Sequence, residues 1–165
     1  MSALVLRADG AVSGAAWRIV RDVSAPVVAG ALLPLAAWRA LDEARRARHG
    51  LWLTAADDPL ALRGAALPAR IAVDFPKFTD GRGYSTAVLL RTRLAFAGDL
   101  RAIGDVLIDQ IFYLRRVGFS SFELRADQDP VAAAAALRTF SQTYQRSADE
   151  PLPLFRRRHL HGVHA

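Results

Sequence analysis

Arg70-Ile-Ala-Val-Asp74 is a short apolar run. Phe75-Pro-Lys-Phe-Thr-Asp-Gly-Arg-Gly-Tyr84 is a polar, glycine-bearing loop, and Ser85 opens Thr-Ala-Val-Leu-Leu-Arg-Thr-Arg-Leu94, with Val88, Leu89 and Thr92 at helical spacing. Strand, loop and helix in that order form the repeating unit of a parallel sheet. The same beat continues on both sides. Leu51–Ala55 reads as a strand, and Asp58-Pro59 as an N-cap and first helical residue for a helix to Leu67. Downstream, Asp99–Ile103 is a third strand, and Gly104-Asp105 opens a helix over Val106–Val117 ended by Gly118. Phe119–Leu124 is a fourth strand, and Asp129-Pro130 starts a helix to Arg146.

Four β–α units predict an α/β fold with a mainly parallel sheet, either an open sandwich or a partial β/α barrel. Leu4–Leu6 and Ala16–Val20 predict an N-terminal β-hairpin around Asp9-Gly10, which extends the sheet edge or pairs with a second subunit. Pro34 suits the first turn of a helix to Arg48, carrying Leu35, Trp38 and Leu41 inward, with Gly50 just beyond its end. Residues 1–150 then form one domain. Residues 151–165, with Pro151, Pro153 and Arg156–Arg158, form an extended basic tail.

Composition narrows the chemistry. The 165 residues are 52% hydrophobic and 23% charged, enough apolar material for one core. There is no Cys, and the single Met is the initiator. A disulfide framework, a thiolate nucleophile and a cysteine-ligated iron–sulfur cluster are therefore excluded. The net charge of +6 rests on 22 basic residues, all Arg but Lys77. They are scattered, with neither zinc-finger spacing nor aromatic interleaving, so nucleic acid is not an expected partner. The uncharged stretch Ala25–Trp38 is broken by Pro34, and no signal segment stands at the N-terminus, so the expected location is the cytoplasm, without a membrane span.

In parallel α/β sheets, ligands gather at the carboxyl ends of the strands. That edge would carry Asp57 and Asp58, the run Asp74–Ser85 with Asp80, Gly81, Arg82, Gly83, Tyr84 and Ser85, then Gly104 with Asp105, and Arg125 with Asp127; Arg101, on or before the third-unit helix, is a further candidate. Two glycines permit close backbone approach, Ser85 offers free helix amides, and Arg82 could fork onto an oxyanion or carboxylate. The plainer alternative is a tight turn in which Asp80 caps amides and Arg82 pairs with a carboxylate. Gly81-Arg-Gly83-Tyr-Ser-Thr86 departs from the nicotinamide fingerprint, because Thr86 replaces the third glycine and five residues intervene after the strand. Phe112, Tyr113 and Phe119 read as core rather than as a flavin platform. The cofactor is open. His159, His161 and His164 lack a carboxylate partner, and no metal site is expected.

Three blocks carry a resemblance: D-F-P-K-F-T-D-G-R-G-Y-S (74–85), L-L-R (89–91) and D-L-R-A-I-G-D-V-L-I-D-Q-I-F-Y-L-R-R-V-G-F (99–119). Over about residues 26–123 the chain resembles a bacterial family of unknown function described as predicted oxidoreductases of sulfite reduction. Its genes lie beside those of assimilatory sulfite reductase and cysteine biosynthesis. The resemblance implies an accessory of sulfite reduction, supporting electron delivery to or assembly of sulfite reductase or another sulfur-assimilation enzyme. The chain is not itself a sulfite reductase catalytic subunit, because it has no thiolate for the cluster. The scarcity of sulfur fits a protein made when sulfur is limiting. The other reading is an independent α/β enzyme, or an oxyanion- or phosphate-binding protein, using the Asp80–Ser85 loop. A homo-oligomer is compatible with either.

Overall fold

The computed structural model describes residues 4–14, 17–21 and 28–161. Seven strands form one open sheet: β1 (Leu4–Arg7), β2 (Val12–Gly14), β3 (Leu32–Pro34), β4 (Gly50–Leu53), β5 (Arg70–Phe75), β6 (Asp99–Gly104) and β7 (Ser121–Glu123). Their order is β2-β1-β7-β6-β5-β4-β3. Neighbours from β3 to β7 are parallel, while β1 is antiparallel to both β7 and β2. The four expected strands 51–55, 70–74, 99–103 and 119–124 are all present, as β4 to β7. The sheet does not close into a barrel.

The hairpin turns at Asp9-Gly10 as expected, but its second strand is Val12–Gly14. Asp9 accepts from the Ala11 amide at 2.9 Å, and Gly10 sits at φ 91°, so the chain reverses sooner than the apolar pattern implies. Of the segment assigned to that strand, Ala16 lies outside the described residues. Ile19 instead bridges Leu32 in parallel on the far side of β3.

The helix expected from Pro34 to Arg48 is broken in two, α1 (Leu35–Ala40) and α2 (Glu43–Arg46), with Pro34 closing β3. Leu41 is extended, and Asp42 caps α2 by accepting from the Arg45 amide at 2.8 Å. Gly50 does not end a helix. It begins β4, where a Cβ would lie 2.9 Å from the Leu32 side chain. Asp58 and Pro59 do cap a helix, but only a 3₁₀ turn over Pro59–Leu62.

The helix after β5 is α3 (Arg82–Thr92). It starts three residues before Ser85, and its buried side is Gly83, Thr86, Ala87 and Leu90. The helix expected over 106–117 becomes a 3₁₀ turn, Ile108–Gln110, followed by α4 (Ile111–Arg116), because Leu107 is extended and its amide donates to Gln110 Oε1 at 3.0 Å. α5 (Pro130–Ala136) is capped by Asp129 as expected. It stops ten residues early, where the Thr139 hydroxyl donates to the Ala136 carbonyl at 2.8 Å. The tail is not extended: it forms α6 (Leu154–His161), anchored by Arg157 donating to the Thr143 carbonyl at 2.6 Å. His164 and the side chains of His159 and His161 lie outside the described residues.

Strands β3 to β7 lie side by side in chain order, so the order never reverses. Alternate strand residues Leu33, Leu51, Leu53, Ile71, Val73, Phe75, Leu100, Ala102 and Phe122 join one core with Trp38, Leu90, Ile111, Leu114 and Leu137 of the helical side. The opposite face packs Leu32, Ala72 and Ile103 against Trp17, Ile19 and Trp52. Among the described residues, the helices therefore form a single layer. This order lacks the reversal at which dinucleotide-binding sheets open a crevice. No helix among the described residues is long and apolar enough to cross a membrane.

Candidate functional site

The carboxyl edge of β5, β6 and β7 brings together most of the residues singled out in the sequence. The 76–81 loop is held by Asp105, whose Oδ2 accepts from the Phe78 amide at 2.9 Å, and by Gln110, whose Nε2 donates to the Phe78 carbonyl at 2.9 Å. Asp105 is thus not a helix cap. Its other oxygen receives Arg125 Nη1 at 2.8 Å, and Arg125 forks onto Asp127 at 2.6 and 2.7 Å. The Phe78 amide and then Arg125 hold the Asp105 carboxyl below the usual range. Arg125 lowers Asp127 to about 2.

Asp80 and Arg82 form a second closed pair. Arg82 donates Nε and Nη2 to the two oxygens of Asp80, at 2.9 and 2.6 Å, and its amide adds a third bond at 3.2 Å. These bonds pull Asp80 down to about 2. The arginine fork is therefore filled by its own neighbour, the plainer of the two arrangements considered for this loop. The expectation that Ser85 opens the helix is overturned: Gly81 is the N-cap and Ser85 is the fourth helical residue. Gly83 serves packing, because a Cβ there would lie 2.5 Å from the Phe75 ring.

Tyr84 is half-buried and stands edge-on to Phe75, with centroids 5.4 Å apart, and 5.2 Å from Tyr113. Burial raises its phenol pKa. Arg101 stands apart from this edge. It lies mid-strand on the face away from the helices, stacked at 3.6 Å on Trp17, with Nε donating to Ser121 Oγ at 3.2 Å and Nη2 3.9 Å from Asp99. Strand alternation explains the separation: 100 and 102 join the helical core, so 101 points the other way. On that same face Asp74 is the last but one residue of β5, its pKa raised by burial.

The sequence reading missed the groove beside the edge. It has a volume of about 580 Å³ and is lined chiefly by Leu107, Ile108, Phe112, Tyr113, Arg125 and Phe140. Phe119 is core as expected. Phe112, however, packs edge-on against Phe140 at 5.1 Å, while Tyr113 and Phe140 are 57% and 60% exposed. The signal lay in the early end of α5, which leaves Phe140 outside a helix. Asp80, Arg82, Asp105, Arg125 and Asp127 are bonded to one another on this edge, whereas its aromatic surface is open. Such an arrangement suits binding a partner better than polarising a substrate. No group of three or more metal-ligating side chains occurs among the described residues.

No curated protein and no solved structure matches this chain. A family model does match residues 50–155, from β4 to the start of α6, and takes in every element of the carboxyl edge and its groove. With more than half its length matched, the chain belongs to the bacterial protein family of unknown function DUF934.

Proposed function

We propose that this protein is an accessory of assimilatory sulfite reduction, docking through its carboxyl-edge groove onto sulfite reductase or another sulfur-assimilation enzyme. The observation that carries this reading is the contrast at that edge. Asp80–Arg82 and Asp105–Arg125–Asp127 are bonded to one another, the second set keeping one net negative charge, while Tyr113 and Phe140 stand exposed beside them. Exposed aromatics around a preformed groove are the usual anchors of a protein interface. The resemblance of residues 74–119 to proteins encoded beside sulfite reductase supplies the pathway. The absence of Cys assigns any cluster to the partner.

The test is growth. A deletion strain grows on cysteine or sulfide but poorly on sulfate and on sulfite. The wild-type gene restores growth, a Tyr113→Ser/Phe140→Ser gene does not, and an Asp80→Ala/Arg82→Ala gene does, each protein accumulating normally. Normal growth of the deletion strain on sulfite overturns the pathway. Failure of only the Asp80/Arg82 variant overturns the groove and favours an enzyme or anion-binding protein built on that loop.

A further inference from the structure

A second groove, of about 590 Å³, lies at the far end of α3 from the Asp80–Arg82 turn. Val88, Thr92 and Arg93 form one wall, and Arg146, Ser147, Ala148 and Pro151 the other. Among the described residues no carboxylate lines it. The acidic residues of the adjoining segment are engaged elsewhere: Asp149 lies 3.6 Å from Arg116, and Glu150 3.4 Å from Arg157. Thr92 returns its hydroxyl to the Val88 carbonyl at 2.7 Å. Arg93 and Arg146 are both exposed, and among the described residues neither makes a salt bridge.

The wall is held in place. Arg116 is buried, its Nη2 donates to the Gln145 carbonyl at 2.6 Å, and its own carbonyl accepts from Ser147 Oγ at 2.7 Å and from the Asp149 amide at 3.2 Å. This clamps the 145–149 segment onto α4. The lining thus combines two arginines with Val88, Ala148 and Pro151, and among the described residues no salt bridge engages either arginine.

We propose that this groove docks an acidic segment of a partner protein, its carboxylates on Arg93 and Arg146 and an apolar side chain on Val88, Ala148 and Pro151. Charge complementarity selects the acidic partner, because an arginine fork takes a carboxylate in two parallel bonds. The apolar floor favours a peptide over an inorganic anion, which has nothing to place there. The occupant of this groove is independent of the sulfite-reduction proposal.

The probe is a fluorescent peptide of alternating glutamate and leucine, titrated with the full chain and followed by anisotropy. Binding should weaken as ionic strength rises and should be absent for the same peptide with glutamine in place of glutamate. Arg93→Glu/Arg146→Glu should lower affinity by about tenfold or more. Arg93→Gln/Arg146→Gln, which removes charge without reversing it, should also weaken binding while preserving the melting temperature. The matched control is Arg39→Glu/Arg63→Glu, which lines a separate basic pocket beside Trp38 and changes net charge by the same amount. It should bind like wild type. Equal loss in the control, no binding at low salt, full competition by inorganic sulfate at constant ionic strength, or preference for an RNA oligonucleotide of equal charge would each overturn the assignment.

Discussion

Arg91, the last residue of the Leu89-Leu-Arg91 block, offers the sharpest test of what holds the helical layer to the sheet. Its Nε donates to the Gly118 carbonyl at 2.8 Å, and Nη1 to the carbonyls of Phe96 and Gly98 at 2.5 and 2.9 Å. One side chain on α3 thereby joins the turn before β6 to the turn after α4. Arg91→Met keeps the aliphatic stem and removes all three bonds. Charge-assisted bonds contribute about 1.5–3 kcal/mol each, so three give a gross of roughly 4–9 kcal/mol. Against this stand about 2 kcal/mol of released side-chain entropy and the recovered desolvation of the guanidinium, whose burial already depresses its pKa. The net expectation is a loss of about 2–4 kcal/mol, or roughly 6–12 °C in Tm for a domain of this size. Urea titration and a thermal melt measure it. Arg91→Lys, a point charge unable to span three carbonyls, should fall between wild type and Arg91→Met. A loss below about 1 kcal/mol, typical of an exposed contact, would refute the clamp and mean that water replaces the arginine at these carbonyls.

Three further outcomes follow from the same geometry. Gly104→Ala should cost about 2 kcal/mol or more by urea titration, because φ is 94° and a Cβ would lie 2.4 Å from the Phe75 carbonyl oxygen. An NMR titration of Asp127 should show a midpoint near 2, returning toward 3.8 in Arg125→Gln. Because the folded value is depressed, the stability linked to this pair is present above the unfolded pKa and disappears as pH falls from about 4 to 2, never on the alkaline side. Sulfate should raise the melting temperature of Asp80→Ala more than that of wild type, because the substitution frees the Arg82 fork. Equal increments would place any bound anion elsewhere.

The strands from 50 onward were legible because each is a short apolar run between a helix and a polar turn, as at Arg70–Phe75 and Asp99–Gly104. β3 was not legible. Leu32-Leu-Pro34 is three residues long, and Pro34, a common first helical residue, also closes a strand whose outer partner is Ile19. Helix lengths failed where a single side chain ends or restarts the helix, as Asp42, Gln110 and Thr139 do. Within the candidate site, Asp80, Arg82, Tyr84 and Asp105 do meet at one edge, as strand ends in a parallel sheet must. Arg125 and Asp127, from the loop after β7, belong to the same edge, but the fork that ties them to Asp105 was not legible, and Phe140 reaches the groove only because α5 is short. Arg101 was misplaced by one step of strand alternation. Motif spacing along the chain does not reveal that step until the buried face is known.

The pairing of β1 with β7 sets a timetable for the nascent chain. Strands β3 to β7 each add beside the one just made, so that part of the sheet can grow while synthesis proceeds, through contacts between near neighbours. The β1–β2 hairpin leaves the ribosome before them and cannot join the sheet until β7 is made. Leu6 must find Phe122, which is made after most of the domain, so β1 and β2 wait without their sheet. Until they dock, β7 presents a bare edge to other chains. A fusion or truncation that delays the hairpin should therefore be felt first as aggregation during expression, before any loss appears in the melting temperature of the finished fold.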